Sequence, residues 1–129
     1  MDIKTLVKLT SRAWSLNILA ALHSGVAGRQ AALLAATGAS RSSFALSLEH
    51  LVGLKLLERN PGHGHPLRPE FRLTPLGVEA AEIASRLVKA VPDEGEFSLL
   101  RKSWTVPILA LTSAPRRFSG IRTDLAHIT

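Results

Sequence analysis

The 129-residue chain contains no cysteine, which excludes disulfides, thiolate zinc sites and thiol-based redox sensing. A cytoplasmic protein is compatible with that. It also has no apolar stretch near the ~20 residues of a membrane span. Lys4, Lys8 and Arg12 ahead of the apolar run Trp14 to Leu22 have the outline of a secretory leader. Asp2, Asn17 and the helical spacing of Leu6, Leu9, Ile18 and Leu22 predict a folded helix there instead. No Ser/His/Asp, Cys/His, paired-carboxylate or phosphate-cradling Gly motif is recognisable, and Glu79, Glu82 and His50 stand isolated as surface residues of helical segments. Those absences argue against an enzyme. Acid is also in short supply: ten Asp and Glu stand against sixteen Lys and Arg, giving +6. The excess favours a polyanionic partner without identifying one. With 46% hydrophobic residues the chain can bury one ordinary core plus a small appendage, or two very small units.

What is present centres on residues 38–53. Gly38 can supply the positive φ of a tight turn, Ser40 can cap a helix, and Gly53 offers a stop. Phe44, Leu48 and Leu51 fall at i, i+4 and i+7, so one face is core. At 100° per residue the other side carries Ser42, Ser43, Leu46 and His50, with Arg41 at the tip and Glu49 at the edge. A short, polar, acid-poor helix of this kind fits a DNA major groove, where its first residues can meet base edges and phosphates. Ser-rich amphipathic helices also occur in bundles that touch no nucleic acid, so the flanking segments must decide.

Ile3 to His23 reads as one helix or two abutting ones, ended by Ser24-Gly25, with Trp14, Ile18, Leu19 and Leu22 as its buried stripe. Arg29 to Thr37 is a second, Ala-rich helix, and with Gly38 in the turn it makes the first half of a helix-turn-helix. After the recognition helix, Leu54 to Arg59 and Phe71 to Thr74 read as strands. Between them Asn60-Pro61-Gly62-His63-Gly64-His65-Pro66 is a loop, which makes the unit a winged helix with this loop as its wing. Thr74 caps a last helix with Pro75 at its first position, and Leu76, Ala80, Ile83, Leu87 and Val91 continue at helical spacing to Pro92. Such a helix serves packing or dimerisation.

Asp93-Glu94-Gly95-Glu96 reads as a linker, after which the beginning recurs. Ser11-Arg12-Ala13-Trp14-Ser15-Leu16-Asn17-Ile18-Leu19-Ala20 aligns with Arg101-Lys102-Ser103-Trp104-Thr105-Val106-Pro107-Ile108-Leu109-Ala110 at constant offset. Residues 93–129 are therefore expected to form a linker and an incomplete second winged-helix unit beside the DNA-binding unit of residues 1–92. The second unit's Trp104, Ile108, Leu109, Phe118, Ile121, Leu125 and Ile128 form an apolar face expected to mediate self-association, the alternative being packing against the first unit's own last helix.

Trp14, Ile18-Leu19, Ala39-Ser40, Leu48, Leu51, Leu56-Leu57-Glu58-Arg59, Pro69, Phe71, Leu73-Thr74 and Gly77 together resemble the pattern of the HxlR-type branch of the MarR-like winged-helix transcription regulators. The second copy resembles it over Trp104-Thr105, Ile108-Leu109, Pro115-Arg116-Arg117-Phe118-Ser119, Ile121-Arg122, Leu125 and Ile128-Thr129. Three departures stand out. Lys55 replaces the Gly that usually ends the recognition helix, Gly28-Arg29-Gln30 replaces an Arg-Phe motif, and the N-terminal cysteine that senses thiols in some members is missing. The resemblance implies a mainly α fold with a two-stranded wing and sequence-specific binding of double-stranded DNA by a homodimer. It leaves room for a small-molecule effector.

The expected DNA contacts are Arg41, Ser42, Ser43 and His50 in the major groove, and Arg59, His63, His65, Arg68 and Arg72 in and around the wing on the backbone. His63-Gly64-His65 is also a conceivable metal pair, but it lacks a third ligand at a recognised spacing, so no metal or other cofactor is expected. Trp14 and Trp104 can stack on an aromatic effector, although their place on apolar stripes assigns them to the core. The competing reading is a protein-protein interaction module that keeps the winged-helix scaffold.

Overall fold

A computed structural model describes residues 3–63, 68–90 and 106–107. The element order is α1 (Ile3–Thr10), α2 (Ser15–His23), α3 (Gln30–Thr37), α4 (Arg41–Gly53), β1 (Leu57–His63), β2 (Arg68–Leu73) and α5 (Pro75–Ala90). It is a mainly helical winged helix-turn-helix, with one antiparallel two-stranded sheet among the described residues.

The N-terminal apolar segment is two helices, and hydroxyl groups explain the break. Thr10 Oγ1 donates to Leu6 O at 2.9 Å and Ser11 Oγ to Lys8 O at 2.8 Å, so side chains take carbonyls at the end of α1. Ile18 and Leu19 are fully buried, whereas Trp14 and Leu22 are half-buried at the rim of the same core.

α2 ends in a turn with Gly25 at φ 97°, and α4 ends in a turn of the same hydrogen-bond pattern. In the first, Val26 N–H reaches Ala21 O and Gly25 N–H reaches Leu22 O. In the second, Leu56 N–H reaches Leu51 O at 3.1 Å and Lys55 N–H reaches Val52 O at 3.0 Å. Both are Schellman motifs, which require a left-handed residue just past the helix. α4 does stop at Gly53, yet Lys55 takes that conformation, with φ 62°. Leu56 is thereby turned into the core, where it is 1% exposed.

The ribbon is longer than its turn-rich sequence predicts. Asn60, Pro61, Gly62 and His63 belong to β1, and β2 begins at Arg68, so Asn60 and His63, expected in the loop, are paired with Glu70 and Arg68. A register shift between Asn60 and His63 absorbs the irregular stretch. Pro61 falls within that shift, a bulge-like position where a proline without an N–H is tolerated.

α5 is capped as its sequence suggests: Thr74 Oγ1 accepts the Gly77 N–H at 3.0 Å. Its buried side departs from the expected stripe. Gly77, Ala80, Ala81, Ala84 and Ser85 face inward, while Leu76 and Val78 are 51% and 50% exposed. Small residues win that side because α5 lies close along α2 and over the exit of α4. A Cβ on Gly77 would stand 1.9 Å from Leu56 O, and one on Gly28 would stand 2.0 Å from Phe71 O.

Of residues 93–129, expected to form a linker and an incomplete second unit, Val106 and Pro107 are described, and both are buried. Val106 belongs to the same core as Phe44 and Leu19. Trp104, Ile108, Leu109, Phe118, Ile121, Leu125 and Ile128, expected at a self-association face, lie outside the described residues, as does Val91.

Candidate nucleic-acid interface

α3, the Gly38 turn and α4 form the helix-turn-helix. Gly38 adopts φ 71° and donates its N–H to Leu34 O, closing α3. Ser40 then caps α4, its Oγ accepting the Ser43 N–H at 3.3 Å. Phe44, Ser47, Leu48 and Leu51 bury the inner side of α4. At 100° per residue the side diametrically opposite carries Ser42, Leu46 and Glu49, with Arg41 at the N-terminal tip, and all four are exposed. Glu49 thus lies at the centre of the outward face rather than at its edge.

Two expected groove residues sit elsewhere on the helix. Ser43 is half-buried on the flank, one face round from Ser42. His50 is half-buried and turned to the end of α1, where its Nε2 is hydrogen-bonded to Lys8 O and lies 3.1 Å from Ser11 Oγ. A carbonyl can only accept, so Nε2 carries the proton in that contact. One turn earlier, buried Ser47 accepts the Trp14 N–H at 3.2 Å. Ser47 and His50 together pin α4 to the α1–α2 junction. Sequence reasoning did not single out Ser47, although its place between Phe44 and Leu51 on the core side was a signal for a buried hydroxyl with a backbone partner.

The wing is anchored at both ends. β1 and β2 pair Leu57 with Leu73, Glu58 with Arg72, Arg59 with Phe71, and Asn60 with Glu70. Directly opposed residues share a face. Arg59 therefore lies on the face of Leu57, Phe71 and Leu73, whereas Arg72 lies on the other with Glu58, Asn60 and Glu70. The two arginines expected to act together point to opposite sides of the ribbon. Glu70 also bridges two cations, with Oε1 3.9 Å from Arg29 Nε and Oε2 3.9 Å from Arg72 Nη2. Arg29 reaches this position because Phe71 N–H donates to Gly28 O and Arg29 forms an isolated antiparallel bridge with Glu70 at the outer edge of β2. The sheet places Arg68 opposite His63, where β1 and β2 meet the loop, and His65 lies outside the described residues.

Residues 1–92 hold eleven basic and six acidic side chains, and residues 93–129 hold five and four. Most of the excess thus falls on residues 1–92, and the acidic Asp93, Glu94 and Glu96 follow directly. Among the described residues, neither Arg41 nor Arg59 has an ion-pair partner. No helix of the described residues is long and apolar enough to cross a membrane, and no group of three or more acidic or histidine side chains among them could hold a metal ion.

A family model described as HxlR-like helix-turn-helix matches residues 9–96, more than half of the chain. The match takes in every element from α2 to α5. Proteins of this kind are typically DNA-binding transcription regulators. No curated protein and no solved structure matches the chain.

Proposed function

We propose, from the premise that the chain belongs to the HxlR-like helix-turn-helix family, that it is a sequence-specific transcription regulator of double-stranded DNA. α4 enters the major groove with Arg41 and Ser42 foremost and Ser43 at the flank, while Arg59, Arg68, Arg72, His63 and His65 follow the backbone from the wing. Arg41 is the strongest base reader on the helix, since a guanidinium can donate two hydrogen bonds to the O6 and N7 of guanine. His50 acts one step back: with Nε2 on the end of α1 it holds the angle of α4. The observation that carries this reading is the outward face of α4, a capped helix braced on α1 and α2 that presents Arg41, Ser42 and Leu46 to solvent.

The protein acts as a two-fold homodimer in the cytoplasm, which would bring two copies of α4 to two half-sites. Exposed Leu76 and Val78 on α5 support a self-association surface there, because large apolar side chains on one helix end are costly to leave in water. Fluorescence anisotropy on genomic duplex at low and physiological salt tests the DNA reading. Binding should fall steeply with salt, by about one unit of slope for each phosphate contacted. A flat salt dependence, or no binding at low salt, would favour an interaction module built on exposed Leu46, Leu76 and Val78.

A further inference from the structure

Glu49 is the one acidic group on the outward face of α4. It lies seven residues after Ser42 and three after Leu46, on the stripe that points furthest from the core. Its helical neighbours at three and four residues are Ala45, Leu46, Val52 and Gly53, none of them a cation. Among the described residues it has no hydrogen-bond or ion-pair partner. No ion pair among the described residues neutralises it, and its outward position gives it no packing role.

Resting on the reading that α4 enters a major groove, we propose that Glu49 is a specificity-determining residue that accepts a hydrogen bond from the N4 amino group of a cytosine. An ionised carboxylate is acceptor-only, so in the groove it is compatible only with edges that offer a donor. Guanine and thymine present acceptors there and are rejected. Adenine offers its N6 amino group beside the N7 acceptor, a pattern that suits an amide better than a carboxylate, whereas cytosine offers a donor alone. Glu49 lies eight residues beyond Arg41, about 12 Å at the helical rise. Where α4 follows the groove, the cytosine therefore falls about three to four base pairs from the position that Arg41 reads. Leu46, 54% exposed and one turn before Glu49, excludes water from the same step of the groove.

The test starts from duplexes selected by the full-length protein out of a random pool. A panel with each base pair replaced in turn is then titrated with the wild type, Glu49→Gln and Glu49→Ala, all three checked by circular dichroism. The wild type should lose roughly ten- to a hundred-fold in affinity when one particular C·G pair is replaced. Glu49→Ala should be indifferent at that pair and unchanged elsewhere, and Glu49→Gln should shift its preference there toward adenine. If both variants bind every duplex more tightly by one common factor with an unchanged profile, Glu49 merely repels phosphates and the proposal is overturned. A wild type that prefers no sequence would overturn the parent reading as well, and that outcome is visible before any variant is made.

Discussion

The outward face of α4 and the wing carry charge in opposite ways. α4 shows a single cation at its tip and a single anion at its centre, and neither has an ion-pair partner among the described residues. The wing is richer in charge but satisfies part of it internally, with Glu70 held between Arg29 and Arg72 and Glu58 directly across from Arg72. Counting arginines would rank the wing as the stronger DNA-binding element. On the proposed DNA reading, geometry reverses the order for specificity: Arg41 at the tip of α4 keeps its hydrogen-bonding capacity for a base edge, whereas Arg72 must first leave its carboxylate and unpaired Arg59 lies on the Leu57 and Phe71 face of the ribbon. Exposed pairs of this length contribute little to stability, so the wing's cations stay available to phosphates at a modest cost.

The comparison collapses altogether if the junction between the two regions is disturbed, which gives the largest expected effect. Thr74 Oγ1 donates to Lys55 O at 2.7 Å, Thr74 N–H donates to Leu56 O at 3.1 Å, and Gly77 packs on that same carbonyl. Gly77→Ala should destabilise the fold by about 3 kcal/mol, read as a shift in the denaturant midpoint, because backbone rather than a pliable side chain blocks the new methyl. Unchanged stability would show that α5 is looser over the exit of α4 than described.

Arg41→Ala comes next and separates the two regions. It should cost about 1 to 3 kcal/mol on the preferred duplex and far less on shuffled DNA. Arg59→Ala should instead weaken all sequences alike and lower the salt slope by about one. If Arg59 sets sequence preference and Arg41 does not, the division between a reading helix and a positioning wing is backwards.

His50→Ala should lower stability by about 1 kcal/mol through loss of its hydrogen bond to α1. The pattern of base preference should survive in a base-substitution panel. Loss of preference at a single position would return His50 to the groove.

The smallest effect sharpens the wing's side of the comparison. Glu70→Gln frees Arg29 and Arg72, so affinity for any duplex should rise a few-fold, with the gain shrinking as salt increases. Anisotropy titrations on shuffled DNA would detect it. A gain confined to one sequence would mean that the wing reads bases.

Much of this architecture was legible in the residues because its signals are local. Ser40 and Thr74 are caps, Gly38 is a turn, and the spacing of Phe44, Leu48 and Leu51 defines a buried face without reference to the rest of the chain. What was not legible depends on pairs far apart in sequence. Gly28 and Gly77 look like ordinary turn and helix residues until Phe71 and Leu56 approach them. His50 looks like a surface polar residue until α1 supplies its partner, and the core-side place of Ser47 does not name Trp14 as its partner. Pro61 and Gly62 signal a loop, but the pairing of Asn60 with Glu70 and of His63 with Arg68 on either side of a register shift carries them into β1. The stripe of α5 misled for a related reason: Leu76 has the right period, but the close approach of α2 selects the alanines.

The central claim, that α4 reads a DNA sequence, is tested most directly by measuring affinity for a selected duplex and for its shuffled counterpart across a salt titration. The account predicts that both weaken as salt rises, with the selected duplex staying at least a thousand-fold tighter at physiological salt. Two curves that coincide throughout would contradict it.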